Sequence, residues 1–173
     1  MSRRAKLALV FAACAAPFVL GWLAYVFEWT PGRTANYGQL LSPQVLRAEP
    51  FPALRGKWVL VTVDAAACDA ACERKLYYMR QIWRAQGKNM ERVERVWIVT
   101  DAAAPRPELL EAIAGTRIAR ADAALSASFP GVARDHVYLV DPLGNLMMRF
   151  PRDPDASRML KDVQRLLRVS RFG

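Results

Sequence analysis

Residues 7–27 read LALVFAACAAPFVLGWLAYVF, a run of 21 positions without a charged side chain. At about 1.5 Å of rise per helical residue, such a run spans the ~30 Å hydrocarbon core of a bilayer. Arg3, Arg4 and Lys6 precede it and Glu28 follows it. The positive-inside rule therefore predicts a cytoplasmic basic tail over residues 1–6 and a transmembrane helix over 7–27. Everything beyond it is expected on the periplasmic side of a bacterial inner membrane. Trp22, Tyr25 and Trp29 gather at the outer end, as aromatic side chains do at a lipid–water boundary, and Pro17 is a candidate kink. A cleaved signal peptide is the competing reading, but the run is long and no small-x-small site closes it. Cys14 follows Phe11-Ala12-Ala13, a weak echo of a lipoprotein box, and reads as a small apolar residue of the membrane helix.

With that anchor set aside, 173 residues leave room for one soluble domain and not for a second. The formal charge of +9 takes three of its units from Arg3, Arg4 and Lys6, and the rest is scattered along the chain. A scattered surplus of arginine fits a solvated surface near anionic lipid better than a nucleic-acid groove. No aromatic-basic motif of the RNA-binding kind occurs, so no nucleic-acid partner is expected.

Residues 28–55 carry Pro31, Gly32, Gly38, Pro43, Pro50 and Pro52 with little periodicity, which predicts an extended stalk leading to a domain at 56–173. Residues 58–63 form a valine-rich apolar run ending at Asp64, the pattern of a buried parallel strand. Leu76, Met79, Ile82 and Trp83 then recur at helical spacing up to Gly87. A second valine-rich strand over 93–100, a helix over 108–114, a short strand at 117–119 and a short helix over 122–128 follow. Residues 136–150, with Pro142-Leu143-Gly144-Asn145 in the middle, predict an antiparallel hairpin, and 154–168 a last amphipathic helix. A βαβ unit closed by a hairpin and a helix describes a thioredoxin-like α/β fold, a mixed sheet flanked by helices.

In such sheets chemistry gathers where strand ends meet helix starts. Asp64-Ala65-Ala66-Ala67-Cys68 occupies that place, and Cys68-Asp69-Ala70-Ala71-Cys72 puts two thiols one helical turn apart. They could form a disulfide, act as a redox pair or share a soft ion such as Cu(I). Cys68, ahead of the helix, is expected to be the more exposed and more readily ionised thiol, because unpaired helix N-terminal amides favour a thiolate. A purely structural disulfide is the bland alternative, though so short a loop removes little chain entropy. Asp64 and Asp101, both at predicted strand ends, are candidate proton acceptors or supports for the site. His136, just before the hairpin strand, is a candidate third copper ligand or thiolate partner.

Three segments carry a family resemblance: Gly56-Lys57-Trp58-Val59-Leu60-Val61 leading into Cys68-x-x-x-Cys72, then Val96-Trp97-Ile98-Val99-Thr100-Asp101, then Tyr138-Leu139-Val140-Asp141-Pro142-Leu143-Gly144. Over roughly residues 56 to 168 the chain resembles the Sco (SenC) family of membrane-anchored copper proteins that serve cytochrome c oxidase assembly. The resemblance implies copper bound by two cysteines and a distant histidine, thiols that can act on disulfides of the oxidase copper-site subunit, and that subunit as partner. Cys68 and Cys72 match the family cysteines one for one. Asp69 and Glu73 stand where the family usually has proline, and the family histidine position is Ala133, three residues before His136. The expectation is a periplasm-facing Sco-like protein working through Cys68 and Cys72, with His136 as an optional copper ligand. A general membrane-tethered thiol–disulfide oxidoreductase and a redox-inert interaction module of the same fold are the alternatives.

Overall fold

The computed structural model describes residues 2–27 and 36–170, which divide into two compact units on either side of Ala35. The first is α1 (Arg3–Val26), whose start is capped by the Ser2 hydroxyl accepting from the Ala5 amide. It is long and apolar enough to cross a membrane, with a mean hydropathy of 2.2 over its most apolar window. Pro17 lies inside it. Arg3, Arg4 and Lys6, expected as a tail, belong to its first turns. Glu28 and Trp29, expected at the outer boundary, and the first part of the expected stalk lie outside the described residues.

The second unit is one mixed six-stranded sheet. In chain order its elements are β1 (Gln39–Val45), β2 (Trp58–Asp64), α2 (Ala70–Arg84), β3 (Val93–Val99), α3 (Pro107–Ala112), β4 (Arg117–Arg120), α4 (Ala123–Ala127), β5 (Val137–Val140), β6 (Asn145–Arg149) and α5 (Ala156–Val169). The strands lie in the order β1-β6-β5-β2-β3-β4. β2, β3 and β4 run parallel, and β5 pairs antiparallel with β2. β6 and β1 extend that antiparallel half.

Side-chain alternation sorts each strand onto two faces. Leu60, Val137, Leu139 and Met148 point to the side covered by α2 and α5, where they pack with Met79, Ile82, Met159 and Val163. Val59, Val61, Ile98, Tyr138 and Val140 point to the other side and pack with Leu125 and Phe129. β2 is buried at every position because both faces are covered, which is why it reads as a continuous apolar run.

The expected stalk is corrected over its second half. Residues 39–45 form an edge strand on β6, with Leu40 opposite Met148 and Gln44 opposite Leu146. The pairing slips between Leu40 and Gln44, around Pro43, which an edge strand tolerates. Leu46, Phe51 and Leu54 then enter the core on the α4 side. The fold also holds its N-terminal end through the buried Asp162 carboxylate, which accepts from the amides of Tyr37 and Gly38 at 2.8 Å each. The domain therefore begins near Asn36 rather than Gly56.

Candidate functional site

The site is assembled where β2 ends and α2 begins. Asp69 is the N-cap of α2, and its carboxylate accepts from the amides of Ala71 and Cys72 at 3.1 and 3.0 Å. The Cys72 amide bond is the main cause that holds the Asp69 carboxyl below the usual carboxylate range; desolvation opposes it, and the nearby Arg134 charge adds to it. The residue that departs from the expected proline is thus a helix cap, which satisfies two otherwise orphaned amides.

Cys68 and Cys72 are joined in a disulfide, with Cα atoms 5.2 Å apart. Cys68 is the one non-glycine residue with a left-handed backbone among those described, at φ 43°. Both cysteines are buried in this oxidised form, at 3% and 0% exposure, so the expected contrast in exposure is small here. They pack with Leu76 of α2, Trp97 and Val99 of β3, and Leu109 and Ile113 around α3.

Charged groups surround this apolar cluster. Lys75, one turn beyond Cys72, donates to Asp64 at 3.1 Å, and both side chains are nearly inaccessible to water. Lys75 also donates to the Arg134 carbonyl, and Asp64 accepts from the Ala65 amide at 3.0 Å. The Arg134 guanidinium reaches Asp69 at 2.8 Å and Asp64 at 3.9 Å. On the other flank Arg106 donates both to the Cys68 carbonyl, at 3.3 Å, and to Glu73. Asp101 accepts from the amides of Ala66 and Ala103, so it pins the loops around the cysteines.

His136 does not join the cysteines. Its backbone is extended, at φ −121° and ψ 155°, so the alternation of β5 runs through it. The ring therefore shares the face of Tyr138, against which it lies edge-on with centroids 6.0 Å apart. That is the α4 side of the sheet, whereas Cys68 and Cys72 lie on the α2 side. The Nδ1 atom is hydrogen-bonded to the Phe150 carbonyl at 2.7 Å. Among the described residues no three His, Cys, Asp or Glu side chains come together as a metal site. The three-ligand copper set expected from Cys68, Cys72 and His136 is thus not assembled in this structure, for a reason of strand parity.

Arg106, Glu73 and Arg134 are the site residues that sequence reasoning left without a role, whereas Lys75, with Arg74, is by its closeness to Cys72 a candidate to favour the Cys68 thiolate. Lys75 had a signal: it falls on the inward stripe with Cys72, Leu76 and Met79, where a lysine needs a buried partner. Arg106 and Arg134 had none, being 38 and 65 residues distant from the atoms they bind.

Residues 58–170 match the model of the transmembrane-like, thioredoxin-like, C-terminal domain family. The chain belongs to that family. Among solved structures it shares its fold with apo Sco1 from Thermus thermophilus, at 16% identity and a TM-score of 0.56, over 79% of this chain and 99% of that one. The copper-bound ScoI of Bradyrhizobium japonicum aligns at 20% identity and a TM-score of 0.52, covering 74% and 96%. A thiol:disulfide interchange protein of the thioredoxin family from Chlorobium tepidum aligns at 16% identity and the same TM-score of 0.52, covering 76% and 96%. No curated protein sequence matches the chain. The thioredoxin-like fold expected from the order of elements is the fold of this family.

Proposed function

We propose that this protein is a membrane-tethered thiol–disulfide redox protein whose working centre is the Cys68–Cys72 pair. The observation that carries the reading is the pair itself: a disulfide at the mouth of a helix, Cys68 in a left-handed conformation, Arg106 at its carbonyl and Lys75 one turn beyond Cys72. A structural staple needs none of these cationic neighbours. In the reduced form, Cys68 attacks a client disulfide as thiolate, giving a mixed disulfide and one client thiol. Cys72 then attacks Cys68, which restores the pair and releases the second client thiol. The run in reverse oxidises a client dithiol.

The three basic residues at the start of α1 support a periplasm-facing domain on an inner-membrane anchor, by the positive-inside rule. The resemblance of residues 56–168 to the Sco family supports a client in cytochrome c oxidase assembly, with the oxidase copper-site subunit as the first protein to test. Copper is a separate question, because among the described residues the structure brings two sulfur donors together and no third ligand. The deciding experiment equilibrates the full chain in detergent with glutathione redox buffers and traps the thiols by mass-tagged alkylation. A two-electron transition of Cys68 and Cys72, abolished in Cys68→Ser and Cys72→Ser, is expected. A pair that stays oxidised through every buffer refutes the reading. Cu(I) titration of the reduced chain against a chromogenic chelator complements it: His136→Ala should leave any affinity unmoved, and a fall of ~10- to 100-fold would return His136 to the ligand set.

A further inference from the structure

A groove of about 390 Å³ runs between α2 and α3 and starts at the first turn of α2, where Ala70 and Glu73 form its end. Leu109, Ala112 and Ile113 line one side and Tyr77 the other. Two observations tie it to the cysteines. Leu109 and Ile113 belong to the same packed cluster as Cys68 and Cys72, so its floor and the disulfide's surroundings are one apolar body. Glu73, at its end, is held by Arg106, which also binds the Cys68 carbonyl.

The walls are unlike an ordinary helix surface. Tyr77 is 53% exposed beside apolar groups, with the Arg80 guanidinium 5.9 Å from its ring centre. Exposed aromatic and arginine side chains beside a small apolar pocket are the typical anchors of a protein interface. The charged groups lining the groove are Arg74, Arg80 and Glu73; Arg106, outside the lining, neutralises Glu73, and Arg80 also donates to the Ala112 carbonyl, so two positive charges remain along the groove. Arg74 has an exposed partner in Asp153 at 3.5 Å, a pairing that solvent weakens. The charge balance thus selects against a basic occupant and in favour of an acidic one.

We infer that the α2–α3 groove is a client-docking site, which seats an apolar side chain from an acidic polypeptide segment whose disulfide is then presented to Cys68. The inference rests on the thiol–disulfide reading above and adds the class of client. Docking makes the thiol step intramolecular, so it raises the rate for clients that fit and leaves small disulfides untouched.

The test uses the reduced full chain in detergent and two synthetic peptides, each with one cysteine activated as a thiopyridyl disulfide. In one a leucine is flanked by glutamates, in the other by lysines. Attack of Cys68 on the peptide sulfur forms the protein–peptide disulfide and releases thiopyridone, which is followed by its absorbance. The acidic peptide should react about 10-fold faster, the range that two or three partly exposed ion contacts command together. The advantage should shrink in Tyr77→Ser, in Arg74→Glu and at high salt, while neutral dithiodipyridine reacts alike with all of them. Equal rates for the two peptides, with normal dithiodipyridine reaction, overturn the groove and leave the thiol reading standing. Failure of dithiodipyridine as well overturns both. If Tyr77→Ser instead converts a dimer to a monomer without changing peptide discrimination, the groove is a self-interface and the inference falls.

Discussion

Replacing Lys75 by methionine keeps the length and apolar stem of the side chain and removes only the charge. In the native fold Lys75 and Asp64 are 5% and 4% exposed and 3.1 Å apart. Asp64 would then keep the Ala65 amide and Arg134, whose guanidinium is 3.9 Å away and itself 58% exposed. Neither replaces a buried ammonium. Removing one partner of a buried pair costs about 3–5 kcal/mol, because the remaining charge loses its compensation inside the protein. Against a domain stability of about 5–15 kcal/mol this is a large loss. With a urea slope of about 2 kcal/mol/M the midpoint should fall by about 2 M. Urea unfolding of the full chain in detergent, followed by tryptophan fluorescence, measures it. The double variant Asp64→Leu with Lys75→Met should be more stable than Lys75→Met alone, since it leaves no orphan charge. A loss below about 1 kcal/mol in the single variant, or a double variant worse than the single, would refute the reasoning.

Arg106→Gln should slow alkylation of Cys68 in the reduced chain below neutral pH, and Glu73→Gln should speed it, each by about two- to fivefold as befits half-exposed charges. Shifts in the same direction would show that the two residues merely hold the loop. Tyr138, whose hydroxyl donates to the Pro130 carbonyl at 2.8 Å, has its phenol pushed up to about 12 by burial. Its neutral form is therefore favoured by folding: that stability is complete below pH ~10 and is lost as pH rises from there through about 12. Urea midpoints measured across this window should fall for the native chain and fall less for Tyr138→Phe. An identical alkaline loss in both proteins would exclude Tyr138 as its source.

Much of the architecture was legible because it depends on local pattern. An uncharged run long enough for a bilayer makes a helix wherever it is placed, and α1 follows it. The central strands announce themselves because burial on both faces demands continuous apolar sequence, as in residues 58–64. The cysteine spacing likewise fixed that two sulfurs could meet across one turn, and they do. β1 was missed for the opposite reason. QLLSPQV has a proline, no clean alternation and little burial, and it becomes a strand only through its pairing with β6, more than a hundred residues later.

The chemistry around the cysteines was decided by tertiary structure alone. Sequence placed His136 near the hairpin, but which face it uses depends on the parity of an extended backbone, and one residue of register reverses it. Sequence showed a lysine on an apolar stripe, whereas its partner Asp64 is supplied by the neighbouring strand. Arg106 and Arg134 reach the site from loops far along the chain, since a parallel sheet brings together strand ends that are distant in sequence. A chain's periodicity records which side chains must leave water. It carries no record of which charge will be waiting for them, because that is a property of the packed arrangement of elements and not of any one of them.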